Sequence, residues 1–133
     1  MPELRVLAFD FGLKHIGIAT GQSITGTATG LTTVEAVNGK PDWGTLDALI
    51  ADWRPTDLIV GLPLNMDDTE SDMSAHARRF ADRLRGRYAP PVHLHDERLT
   101  TRAAMETEGG VHEQSAVLIA EGWMEQQRIQ EGR

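Results

Sequence analysis

The chain has 133 residues, 40% of them hydrophobic and 25% charged, with a formal net charge of −7 and no cysteine. That length suits one domain, 1–133, whose core holds without disulfides or a structural metal. The negative balance excludes coating of nucleic acid by bulk electrostatics and leaves any such binding to local fields. No basic-apolar-small leader is read, and no apolar run approaches the roughly 18 residues of a membrane span, so the expectation is a soluble, cytoplasmic protein with no membrane partner.

Residues 4–11 are apolar on both faces apart from Arg5, as a central strand requires. Residues 14–20 and 27–34, rich in β-branched side chains and punctuated by Gly12, Gly21, Gly26 and Gly30, read as two further strands. Their connections are too short for a parallel crossover, so an antiparallel meander is expected. The stretch 38–42 breaks the chain. Residues 43–53 then carry Leu46, Leu49, Ile50 and Trp53 at helical spacing until Arg54-Pro55 stops them.

A buried strand over 57–62 follows, then a polar loop, and then a helix over 71–88 with Met73, Ala77, Phe80, Leu84 and Tyr88 on one stripe. Pro90-Pro91 ends it. Residues 92–95 form a short strand, Thr100 or Thr101 caps a helix to about 106, and Gly109-Gly110 separates it from a last helix over 113–127 with Ala116, Ile119, Ala120 and Trp123 inward. The order predicts one α/β domain with a five-stranded mixed sheet, three antiparallel strands first and two parallel ones after, flanked by helices.

Asp10 ends the first apolar run, and Asp96-Glu97-Arg98 ends the last strand. If those strands are neighbours, two carboxylates meet at the carboxyl edge of the sheet, where open α/β folds build their sites. Phosphodiester hydrolysis by water needs an activated nucleophile, neutralised phosphate oxygens and a stabilised leaving oxygen. Two divalent ions about 4 Å apart on hard oxygen ligands supply all three. Asp10 alone equally suits a turn-capping role at Gly12, and strand alternation puts Asp96 and Glu97 on opposite faces, so either competes for a metal.

The segment Asp10-Phe11-Gly12-Leu13-Lys14-His15-Ile16-Gly17-Ile18-Ala19, with Val60-Gly61-Leu62-Pro63, Asp96-Glu97-Arg98-Leu99-Thr100-Thr101 and the helix from Gln114 to Ile119, resembles the YqgF/RuvX family. Its members are nucleases of ribonuclease-H-like fold related to Holliday-junction resolvases. The resemblance implies divalent-metal catalysis with Mg²⁺ or Mn²⁺. It also implies a cytoplasmic role in trimming the 5′ end of precursor 16S ribosomal RNA, with junction resolution as the other activity proposed for the family. By the same resemblance Asp10 and Glu97 are catalytic and metal-binding positions.

The family carries an acid at the start of the last helix, and here that position reads His112. Mg²⁺ rarely takes imidazole. At about 100° per residue His112 and Glu113 flank the apolar stripe on either side, so three outcomes stand. Glu113 replaces the missing ligand; or His112 binds Mn²⁺ or acts as a base on water; or the site is impaired and the chain is a nucleic-acid- or ribosome-binding module.

Lys14 and Arg98 flank the acids and are read as phosphate contacts, together with Thr100 and Thr101, whose amides face an anion if they open a helix. His93, His95 and Glu97 alternate on one strand face and imitate a zinc site, yet no fourth ligand clusters with them. Arg78, Arg79, Arg83, Arg85 and Arg87 are either a local nucleic-acid footprint or a solvated helix face. The acids of 67–70 suit the start of the helix that follows.

The fold is shared with sugar kinases and actin-like ATPases, which need two such domains around a nucleotide; this chain builds one. The expected partners are precursor rRNA, a DNA junction, and the ribosome or its precursor. Monomer and homodimer are both open, since symmetric cutting of a four-way junction needs paired sites.

Overall fold

The computed structural model describes residues 3–98 and 111–131. Along the chain lie β1 (Arg5–Asp10), β2 (His15–Gln22), β3 (Thr27–Val37), β4 (Lys40–Pro41), α1 (Trp43–Trp53), β5 (Asp57–Leu64), α2 (Asp72–Arg87), β6 (Val92–Arg98) and α3 (Val111–Glu131). The helix expected over 100–106 and the Gly109-Gly110 break lie outside the described residues.

The strands form one sheet in the order β4-β3-β2-β1-β5-β6. β1, β2 and β3 make the antiparallel meander, and β5 and β6 add to β1 in parallel. This is the mixed sheet anticipated, with six strands in place of five. The additional strand comes from the stretch read as a break. Asn38 and Gly39 both take positive φ, 52° and 80°, and this tight turn folds Lys40–Pro41 back onto Ala36 and Val37. Asn-Gly is the pair that tolerates such a turn, and the strand it returns is too short to show a pattern of its own.

Alternation along the strands divides the core in two. On one face Leu7, Phe9, Leu58, Val60 and Leu62 pack under α1 and α2, against Leu46, Ala77, Phe80 and Leu84. Phe80 is the centre of this layer, edge-on to Phe9 with ring centroids 5.7 Å apart and near Phe11 and Trp43 as well. On the other face Val6, Ala8 and Ile59 meet Ile119, Ala120, Trp123 and Met124 of α3. Burial of each large apolar side chain contributes about 1.5–3 kcal/mol, so β1 and β5, covered on both faces, anchor the sheet.

Local signals set the helix ends. Asp42 accepts from the Gly44 amide and caps α1, which closes at Arg54 in the left-handed region (φ 45°) before Pro55. Ser71 and Ser74 form a reciprocal capping box at the start of α2, and the Ser74 hydroxyl donates to the Pro63 carbonyl. That bond ties the helix to the end of β5.

Candidate active site

Parallel pairing brings the carboxyl ends of β1, β5 and β6, at Asp10, Leu64 and Arg98, to one edge of the sheet. The residue sets Val6-Ala8-Asp10, Ile59-Gly61-Pro63 and His93-His95-Glu97 all face α3, because Val6, Ala8 and Ile59 lie in the α3 core and Glu97 pairs with Pro63. Asp10 and Glu97 therefore share a face. Asp96 points the other way, toward α2, where its charge helps to raise the pKa of Arg78.

Gly61 lies between the two acids. The β1–β5 register ends at Phe9 opposite Val60, which makes Gly61 the next β5 residue beside Asp10. A Cβ on Gly61 would stand 3.0 Å from Glu97 Oε2 and would collide with Ile119 Cδ1. The missing side chain is thus what lets the Glu97 carboxylate lean over β5 toward Asp10, whose own side is only 2% exposed.

α3 begins at the same edge and runs back toward the other, since His112 lies over Gly17, the strand partner of Asp10, while Met124 lies over Gly21 near Val6. Its amino-terminal end, where the helix dipole is positive, accordingly faces the acids. A Cβ on Gly17 would run into the His112 carbonyl, so the helix rests on bare backbone there. The His112 ring stacks on His15 with centroids 5.1 Å apart and planes 24° from parallel.

Glu113 takes the other side of the stripe. Its carboxylate accepts from the Thr33 hydroxyl at 3.1 Å, and its Cβ lies over Gly30. It faces β3, whereas His112 faces β2, the strand next to Asp10. Among the described residues no group of three or more His, Asp or Glu side chains is gathered as a closed metal site. The hard oxygens of Asp10 and Glu97 suit a divalent cation, with the third position open to His112 or to a reoriented Glu113.

The neighbouring histidines are structural. His93 Nε2 lies 2.8 Å from Asp57 Oδ2 and its ring packs at 4.8 Å on Trp123. His95 packs against Gly122, and burial pushes its pKa below the usual imidazole value, opposed in part by its hydrogen bond to Gln126. Neither geometry resembles a zinc centre.

Lys14 is exposed on the turn after Asp10, and Arg98 is the last residue of β6. Thr100 and Thr101 lie outside the described residues. Of the arginine cluster, Arg78 pairs with Glu70, Arg85 with Asp82 and the Val92 carbonyl, and Arg87 with Asp47 while lying 5.1 Å over the Trp43 ring. Arg79 and Arg83 are exposed, on the sheet face away from Asp10 and Glu97. In the acidic loop, Asp67 accepts from the amide and hydroxyl of Thr69, Glu70 holds Arg78, and Asp72 stands in the first turn of α2.

A cleft of about 290 Å³ lined by Leu4, Ser23, Ile24, Glu121 and Met124 lies at the opposite edge, near the start of β1 and far along α3. The paired acids sit at the other edge, outside this cleft. Sequence reasoning missed His15, Gly17 and Gly61 as parts of this site. A glycine inside an otherwise apolar strand, as at Gly61, was the available signal of close approach; nothing local announces the contact between His15 and His112.

A mixed sheet with this strand order, a helix on each face and acids at the carboxyl edge defines the ribonuclease-H-like class. The Thermus thermophilus RuvC chain solved in complex with a Holliday junction substrate superposes with a TM-score of 0.50 at 16% identity, covering 89% of this chain and 90% of that one. The chain belongs to the RuvX family, described as Holliday junction resolvase, whose model matches residues 4–126. A Pseudomonas putida relative named "Putative pre-16S rRNA nuclease" is 49% identical over 94% of this chain and 98% of its own length. A relative of the same name from Cronobacter sakazakii is 51% identical over 91% of this chain and 96% of its own.

Proposed function

We propose that the chain is a divalent-metal-dependent nuclease that hydrolyses phosphodiester bonds in the 5′-end processing of precursor 16S rRNA, as a single cytoplasmic domain. The single observation that carries this reading is the convergence of Asp10 and Glu97 on one face of the sheet, over Gly61. The names of its relatives support the substrate.

In this reading Asp10 and Glu97 hold Mg²⁺ or Mn²⁺, with His112 or Glu113 completing the set. The bound cation supplies positive charge against the phosphate oxygens and a means of ionising water at neutral pH. Asp10, buried at its strand end, fixes the position of that charge. The amides at the start of α3 favour a phosphate at the same edge. His112 takes the proton of attacking water as a base, and Lys14 and Arg98 hold neighbouring phosphates with Thr100 and Thr101.

The test is cleavage of end-labelled single-stranded RNA, single-stranded DNA and a four-way DNA junction with Mg²⁺, with Mn²⁺ and with EDTA. RNA cleavage that needs metal and disappears in Glu97→Gln, with the fold retained by circular dichroism, is the expected result. Full activity in Glu97→Gln removes that residue from the mechanism. Cleavage confined to the DNA junction transfers the chain to the resolvase reading that the family description favours.

A further inference from the structure

His15 opens β2 and is exposed, and its ring lies on the half-buried ring of His112. One face of the His15 imidazole is spent on that contact. No other described aromatic ring meets it, and the residue is exposed to solvent. We propose that the ring's outer face is a stacking site for an unpaired nucleobase of the nucleic acid held at the Asp10–Glu97 edge. The inference rests on the reading that this edge works on nucleic acid, and it adds a substrate property: the strand is single where it passes β2.

Placement argues for it. Gly17, two residues along the same strand, is the partner of Asp10, so His15 stands about 6–7 Å along β2 from the residue beside that carboxylate. That is the reach of one nucleotide. His112 is stacked beneath it, and a ring already packed on one side costs less to order when a flat base arrives on the other.

Charge selects the base over the backbone. Glu35 is the register partner of His15 on β3 and is exposed, which disfavours a phosphate at the ring itself. Lys14, one residue earlier and also exposed, draws a phosphate to the turn. A strand crossing this corner thus sets its phosphate on Lys14 and its neutral base on His15. Every base has a π-face, so the contact tolerates any sequence, whereas in a duplex those faces are already covered.

The experiment uses the whole chain carrying Glu97→Gln, so that binding is read without cleavage, and short single-stranded RNAs in which one 2-aminopurine is moved along the sequence. The expected result is fluorescence quenching at a defined position. It disappears in His15→Ala with roughly 10-fold weaker binding and an unchanged salt slope, and His15→Phe restores it. Lys14→Ala, by contrast, lowers the salt slope by about one and keeps the quenching. Quenching that persists in His15→Ala, or that is lost equally in His15→Phe, overturns the stacking site while leaving the nuclease reading intact. A chain that binds none of these RNAs overturns both.

Discussion

Position 112 carries an imidazole where the family resemblance calls for an acid, and the surrounding contacts say how much room there is for the exchange. His112 is seated over Gly17 and against His15, on the strand next to Asp10, whereas Glu113 is turned to Thr33 on β3. A carboxylate at 112 would present hard oxygen beside Asp10, which Mg²⁺ prefers to imidazole. His112→Asp is therefore expected to raise the Mg²⁺-supported cleavage rate by about tenfold, within the range that changes around a metal site usually produce. The ratio of Mg²⁺- to Mn²⁺-supported rates measures it, and an unchanged or lower Mg²⁺ rate means that His112 or Glu113 already serves.

Asp10 stands out in the sequence as a lone acid at the end of a strand-like run, and Glu97 as one of two acids at the end of another. The choice between Glu97 and Asp96 needed the resemblance, and the structure gives its physical basis in the side of the sheet that Asp96 takes, near Arg78. His15 was illegible. An exposed histidine at the start of a strand has no local pattern, and its partner lies beyond four further strands and two helices among the described residues.

Among the elements, α1 and α2 are joined at the surface by one carboxylate. Asp47 accepts from Arg87 Nε and Nη2 at 2.9 and 2.8 Å and from the Tyr88 hydroxyl at 2.7 Å. The Arg87 guanidinium, followed by Tyr88, holds Asp47 from its ordinary 3.8 down to about 2. The unfolded chain therefore takes up this proton first as pH falls. The stability that Asp47 contributes is fully present above its ordinary value and is lost between 3.8 and about 2. Asp47→Asn is expected to make the fall in stability over that window shallower, read by urea unfolding at pH 5, 3 and 2; a fall as steep as the parent's would show that the pair does not feel the folding transition. The effect is modest because both groups are exposed.

Element boundaries were legible where one face is apolar. α1 occupies the expected 43–53, and the stripe read into α2 is the one that packs, with Ala77, Phe80 and Leu84 buried. β6 runs on to Arg98, past the expected end at residue 95, because it stays paired with β5 through Leu64 opposite Arg98. His93 meets Asp57, and His95 packs on Gly122 with a hydrogen bond to Gln126. β4 was hidden for a different reason, being formed by the turn that precedes it.

At the scale of the whole molecule, the charge of −7 makes the position of each cation matter. Three of the five clustered arginines are bound to acids of α1, of α2 itself and of the loop before it, and α2 covers the sheet face opposite the two acids. Neutralising Arg79 and Arg83 together is expected to leave RNA affinity and its salt slope unchanged, in contrast to Lys14→Ala. A slope that falls by about two would put the RNA across α2 instead. No helix among the described residues is long and apolar enough to cross a membrane.

The seating of α3 on glycine has one further result. Where its first turn passes Gly17, α3 lies directly on main chain, so any larger residue there would have to lift the helix away from the strand that neighbours Asp10.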